Sequence, residues 1–382
     1  MKILTIIGTQ PEAIKMAPVI RAIKKDSSIK HTLCVTAQHR ELLDQALNLF
    51  EITPDVDLNI MGSNQDLFDI TTRSLAGLKK VIENKKPDLI LVQGDTTTAL
   101  AGALAGFYTQ TPVAHIEAGL RSGDINSPFP EEANRVLISK LASIHFAPTK
   151  KAEANLLAEK IPAENIHVTG NTVVDALKIA RKKTRNKKDW RNTLGPIADL
   201  TSSNKTILLA TIHRRENFGE GVTTFCKTLK HLATKHPNWN IVVPVHPNPN
   251  VEKPVRAALS KTRNIHLTKQ LDYLSFIHLL SKSKIIITDS GGIQEEAPSF
   301  NKPVLLMREK TDRPESVEQG AAVLVGRNAK KIIKETETTL SNKNKHRKIT
   351  LKNNPYGNGK AAQKIIKTLS RTQPKKTPVK TH

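Results

Sequence analysis

Short aliphatic runs recur along the chain, each closed by a turn rich in glycine, proline or asparagine and followed by a longer block of helical character. This alternation restricts the fold more than any other feature, because strands separated by helices build parallel sheets. Residues 284–300 show the unit in its clearest form. Ile285-Ile286-Ile287 is β-branched and too short for a helix, so it reads as a buried strand. Asp289-Ser290-Gly291-Gly292 ends it, and Ile293-Gln294-Glu295-Glu296-Ala297 begins a helix. Glycines at such a turn let a ligand approach the backbone, and the free N–H groups of a first helical turn favour an anion. The same pattern serves equally as an ordinary strand-to-helix connection, so this stretch alone leaves both readings open.

The pattern predicts strands at 2–7, 31–36, 89–93, 112–116, 143–147 and 165–169, with a short extended piece at 56–60, and a second series at 205–211, 239–245, 264–268, 285–288 and 303–307. The fold class expected is α/β, with two doubly wound Rossmann-like domains facing a cleft. The first domain spans 1–172, a crossing helix and basic linker 173–204, and the second domain 205–360. A final helix at 361–370 is expected to pack back on the first domain, and 371–382 to form a basic, disordered tail. Gly102 and Gly106, inside a helix at 97–108, are read as small residues for close packing on the sheet.

A formal net charge of +24 suggests an anionic partner, but aromatics are only 4% and no basic stretch is interleaved with stacking residues, which argues against nucleic acid. Much of the excess lies at 181–188 and from Lys343 onward, and such runs are usually solvated. Cys34 and Cys226 form no Cys-x-x-Cys pair, which fits a reducing compartment and excludes a cysteine-based zinc site. No apolar run approaches membrane-spanning length, so the expectation is a soluble, cytoplasmic protein with no membrane contact.

Chemistry concentrates where strands end. Asp95, Glu117 and Glu131 are carboxylates at strand ends or at the end of a long loop, positions where a charge usually has a partner or a task. Asp95 also fits a helix N-cap, and Glu131 a complement to a helix dipole. In the second half, His213-Arg214-Arg215-Glu216-Asn217 follows a strand directly and Arg313 stands in Thr311-Asp312-Arg313-Pro314. A histidine and guanidinium groups suit a diphosphate, while a local ion pair is the plainer account of Arg214-Arg215-Glu216. Lys15 places a cation near the end of the first strand. No Gly-x-Gly-x-x-Gly, no Walker-type loop, no His-Glu-x-x-His and no nucleophile elbow is present. The residues alone describe a two-domain α/β protein that binds a nucleotide diphosphate opposite a set of carboxylates.

Taken together, Gly8-Thr9-x-Pro11-Glu12-Ala13-Ile14-Lys15, Thr36-Ala37-Gln38-His39-Arg40, Gly94-Asp95-Thr96-Thr97-Thr98, His115-Ile116-Glu117-Ala118-Gly119-Leu120-Arg121, Pro130-Glu131-Glu132-x-Asn134-Arg135, His213-Arg214-Arg215-Glu216-Asn217, Asp289-Ser290-Gly291-Gly292 and Arg313-Pro314-Glu315 resemble the signature blocks of the non-hydrolysing UDP-N-acetylglucosamine 2-epimerases, in order and over about 370 residues. The resemblance implies a glycosyltransferase-B-like fold, a homodimer, no cofactor and no metal. It also implies conversion of UDP-GlcNAc to UDP-ManNAc for cell-surface polysaccharide synthesis, by elimination of UDP to 2-acetamidoglucal and re-addition. On that basis Asp95, Glu117 and Glu131 surround the sugar as acid/base groups and His213 stabilises the departing diphosphate. Gln10, Lys15, Ser290, Gly291, Gly292 and Arg313 lie on the phosphate side, Glu296 meets the ribose and Phe276 the uracil. Gln38, His39 and Arg40 mark the stretch where some members hold an activating second substrate.

One departure bears on activity. The family pattern has arginine where this chain has Gln10, and a neutral amide supplies neither the charge nor the fork of a guanidinium. Losing one such contact costs on the order of a few kcal/mol of transition-state stabilisation unless another cation compensates. The alternatives to an active epimerase are a UDP-sugar glycosyltransferase on the same architecture and, because of Gln10, a catalytically weak UDP-sugar-binding protein.

Overall fold

The computed structural model describes residues 1–37, 40–62, 65–187, 190–203, 205–342 and 354–371. They separate into two compact units, one of Met1–Ala176 with the described residues from Tyr356 on, the other of Leu177–Pro355. The division falls inside the helix Thr172–Asn186.

In the first unit, β1 (Lys2–Ile7), β2 (Lys30–Val35), β3 (Val56–Asp57), β4 (Leu89–Gln93), β5 (Val113–Ile116), β6 (Ile144–Ala147) and β7 (Ile166–Val168) form one sheet. Its order is β3-β2-β1-β4-β5-β6-β7, with every pair parallel. The order reverses between β1 and β4, and in open α/β sheets the crevice beyond the strand C-termini at such a reversal is where ligands bind. The helix Thr97–Tyr108 starts at Thr96, whose hydroxyl accepts from the Ala99 amide at 3.0 Å. It lies close on the sheet, since a Cβ on Gly106 would stand 2.4 Å from Val113 Cγ2.

The second unit repeats the scheme with β8 (Thr206–Thr211), β9 (Trp239–Pro244), β10 (Ile265–Thr268), β11 (Ile285–Thr288), β12 (Val304–Leu306) and β13 (Ala322–Leu324), all parallel in the order β10-β9-β8-β11-β12-β13. Side chains alternate along each strand. Leu208, Ala210, Ile285 and Ile287 pack with Phe225 and Leu229 in one core cluster. Ile207, Leu209, Ile286 and Val304 pack with Leu279 and Leu280 in another. Both faces are therefore covered, as the uninterrupted apolar runs require.

Three segments depart from the sequence pattern. Residues 190–203, expected as part of a solvated linker, form the helices Arg191–Leu194 and Ile197–Ser202, because Leu194, Ile197 and Ala198 are buried in the second core cluster of this unit. The helix Ala329–Ser341, a stretch for which the sequence pattern named no element, buries Ile332, Thr336 and Thr339 along one face. The three-residue strand β13 is shorter than the windows that reveal a strand.

The helix Ala361–Leu369 belongs to the first unit. The buried Asp175 carboxylate accepts from the Ala361 and Ala362 amides, each at 3.1 Å, and the Asn171 amide donates to the Tyr356 carbonyl at 2.7 Å. Among the described residues no helix is long and apolar enough to cross a membrane. Replacing Asp175→Ala removes the acceptor at this helix start, and a loss of about 1–2 kcal/mol in urea unfolding is expected, with thermolysin cleavage appearing first near the C-terminal helix.

Candidate functional site

In the first unit the strand C-termini at the reversal carry Gln10 after β1, Asp95 after β4 and Glu117 after β5. Glu12 ties the first two loops together. One of its buried carboxylate oxygens accepts from the Gly8 amide at 3.0 Å and from the Thr9 amide and hydroxyl at 2.8 Å each, and the other accepts from the Thr96 hydroxyl at 2.8 Å. Burial pushes this carboxyl up to about 7, against the pull of those bonds. The pattern Thr9-x-x-Glu12 before an apolar helix is a capping box, so this role was legible in the sequence.

Lys15 and Glu117 are brought together. The ammonium stands 2.7 and 2.6 Å from the two carboxylate oxygens, and Asn171 donates to Oε2 at 3.0 Å. The backbone at Glu117 lies in the left-handed region, at φ 67°, which turns the chain sharply after β5. Asp95 does not cap the following helix, a task that Thr96 performs. Its carboxylate accepts instead from Arg135 Nη2 at 2.5 Å, while Asn134 Nδ2 donates to the Asp95 carbonyl at 2.8 Å. Arg135 also meets Glu132 at 3.3 Å. Glu131 opens the helix Glu131–Leu141, whose next turn supplies Asn134 and Arg135. Sequence reasoning missed Arg135 as the partner of Asp95, although its place four residues after Glu131 on one helical face was a usable signal.

In the second unit the corresponding reversal lies between β8 and β11, and it joins His213 to Asp289. Asp289 is fully buried. Its carboxylate accepts from His213 Nδ1 at 2.9 Å, the His213 amide at 3.1 Å, the Arg214 amide at 2.9 Å and Asn217 Nδ2 at 2.9 Å. Burial by itself would raise this carboxyl, but the bonds from His213, Asn217 and the Arg214 amide outweigh it and hold it at about 2. With Nδ1 bound to Asp289, the other ring nitrogen of His213 is the one left to meet a ligand. The His246 ring stacks on His213 at 5.8 Å between centroids. The sequence marked Asp289 only as part of a turn.

Gly291 and Gly292 begin the short helix Gly291–Glu296 after Ser290. A Cβ on Gly291 would stand 2.7 Å from Arg313 Nη1, so a glycine there is what lets that guanidinium lie over the backbone. Arg313 is held by Glu295 at 2.6 Å and Asp312 at 2.5 Å. Glu296 accepts from the Tyr273 hydroxyl at 3.1 Å, and Phe276 is half-buried against the core cluster of Leu279 and Leu280. Arg40 is paired with Asp57 and, at 3.1 Å, with Asp44. Gln38 and His39 lie outside the described residues. Among the described residues no group of three or more His, Cys, Asp and Glu side chains is arranged to hold a metal ion.

A profile of the UDP-N-acetylglucosamine 2-epimerase family matches residues 21–370. The chain belongs to that family. A UDP-N-acetylglucosamine 2-epimerase of Yersinia pestis is 52% identical over 98% of this chain and 99% of its own length, and one of Campylobacter jejuni is 50% identical over 96% and 97%. Among solved structures, the epimerase of Neisseria meningitidis bound to UDP-GlcNAc superposes with a TM-score of 0.94 at 48% identity, covering 97% of this chain and all of that one. Membership makes the chain an isomerase, and the two parallel sheets are those of the glycosyltransferase-B-like architecture. Within the family frame the Asp289–His213 pair is open to a direct test. A carboxyl held below its ordinary value near 3.8 contributes stability that is present above about pH 4 and lost as pH falls through about 2, a loss of about 2 kcal/mol. Urea unfolding across that window is expected to show this slope in the native protein and a flatter one in Asp289→Asn.

Proposed function

We propose that the chain inverts C2 of UDP-N-acetylglucosamine reversibly, giving UDP-N-acetylmannosamine through a shared intermediate. A base removes the C2 proton while the C1–O bond breaks, its electron pair leaving on UDP, and 2-acetamidoglucal remains. UDP oxygen then re-adds at C1 as an acid protonates C2 on the opposite face. Asp95, Glu117 and Glu131 are the acid/base groups of this scheme, and His213, oriented by Asp289, donates to the departing diphosphate. Ser290, Gly291, Gly292, Arg313 and Lys15 serve the phosphates, Glu296 the ribose and Phe276 the uracil.

The observation that carries this reading is that Asp95 and Glu117 stand at the ligand-binding edge of one sheet, each fixed by a cation, with Glu131 on the helix that supplies Arg135. Family membership and the UDP-GlcNAc bound to the Neisseria relative point the same way. The product would supply cell-surface polysaccharide synthesis from the cytoplasm. Gln10 leaves the phosphates without a cation from that position, so a lower turnover than in arginine-bearing members is part of the proposal.

Proton NMR of UDP-GlcNAc incubated with the protein in deuterated water should show deuterium entering C2 and signals of the manno configuration. Asp95→Asn and Glu117→Gln should each slow exchange by about 10²–10⁴-fold. No exchange at saturating substrate, or transfer of the sugar to an acceptor with release of UDP, would overturn the reading.

A homodimer is proposed from the first unit. Phe107 is 59% and Tyr108 69% exposed at the end of helix Thr97–Tyr108, and Leu137 is exposed on the helix Glu131–Leu141 packed beside it. A second copy covering this apolar face is what its exposure favours. Sedimentation equilibrium should give twice the chain mass for the native protein and the single-chain mass for Phe107→Glu with Tyr108→Glu; a native monomer sinks the idea.

A further inference from the structure

We propose that Asn171 is a positioning residue for the reaction, fixing the plane in which the Glu117 carboxylate faces the sugar. This rests on the epimerase reading above, in which Glu117 is an acid/base group, and adds a residue that acts through it.

Lys15 by itself does not set that plane. Its ammonium is nearly equidistant from the two Glu117 oxygens, at 2.7 and 2.6 Å, so it fixes where the negative charge sits and leaves the carboxylate free to turn about the line joining them. Asn171 Nδ2 donates to Oε2 at 3.0 Å, and a bond to one side of that line selects one rotation. The orientation of the amide is decided in turn. Asn171 precedes the helix Thr172–Asn186, and its Oδ1 accepts from the Val173 amide at 2.9 Å, so Nδ2 is the end that meets Glu117.

The backbone of Asn171 is held as firmly as its side chain. The residue is 2% exposed, and its N–H donates to the Tyr356 carbonyl at 2.7 Å. Tyr356 is fully buried and packs with Val173 and Val174. Gly170 lies in the left-handed region at φ 92°, and a Cβ there would stand 3.2 Å from that same carbonyl oxygen. A Cβ on Gly357, at φ 118°, would stand 3.3 Å from Gly170 Cα. Two glycines therefore let the C-terminal segment lie directly against the chain that carries Asn171. The side chain is a strut between that segment and Glu117. A base must present an oxygen lone pair to the C2 proton, and a small misplacement at that step is costly in rate, while the nucleotide is held by other residues.

The test follows deuterium entry at C2 of UDP-GlcNAc by proton NMR, UDP affinity by calorimetry and melting by circular dichroism, all on the full-length protein. Asn171→Asp keeps the acceptor for the Val173 amide and the bond to Tyr356 but replaces the donor with an acceptor. Asn171→Ser keeps a hydroxyl cap, is too short to reach Glu117 and adds no buried charge, so it decides the question where the aspartate variant does not fold. Each folded variant should lose about 10²-fold in kcat, with KM, UDP affinity and melting temperature close to native. A native kcat in Asn171→Ser overturns the proposal and leaves the epimerase reading intact. Loss of UDP affinity or of melting temperature in Asn171→Ser in step with kcat makes Asn171 a structural residue and also overturns it. Absence of exchange in the folded native protein refutes the epimerase reading and the proposal with it.

Discussion

Parallel pairing of β8 with β11 sets Thr211 beside Thr288, their hydroxyls 2.7 Å apart, and most of the second unit's chemistry depends on that register. One residue further on, the β11 chain delivers Asp289 into a space closed to water. Two residues on, the β8 chain delivers His213 against it. A one-residue slip would turn every side chain to the opposite face and put an uncompensated carboxylate into the core. The two core clusters on either side of the sheet hold the register, so packing far from the site fixes the site.

The first unit uses the same constraint with different groups. β1 and β4 are neighbours at the reversal of strand order, and Glu12 bridges the loops that leave them. Lys15 and Glu117 lie 102 residues apart in sequence, and Asp95 and Arg135 forty, yet both pairs close because β1, β4 and β5 stand side by side. A buried carboxylate is costly without such a partner, so these pairs both permit the charges and restrain their side chains.

Much of this was readable from the chain alone. Strands β1 and β4 were predicted at their observed bounds, as was the helix Thr97–Tyr108, because long apolar runs and a threonine-rich cap leave little choice. Where the sequence fell short, the physical reason is local. β13 is too brief to show a period, and the helices of residues 190–203 form on a core cluster whose other members lie elsewhere in the chain.

For the site, composition and motif order supplied the candidates: the three carboxylates, His213, the Ser-Gly-Gly turn and Arg313 are all visible as residue types at strand ends or loop ends. Only the tertiary structure decided their partners. That Lys15 meets Glu117, that Asp95 takes Arg135 and leaves capping to Thr96, and that Asp289 holds both His213 and Arg214 follow from strand register and burial. These are properties of distant segments brought side by side, and no local pattern encodes them.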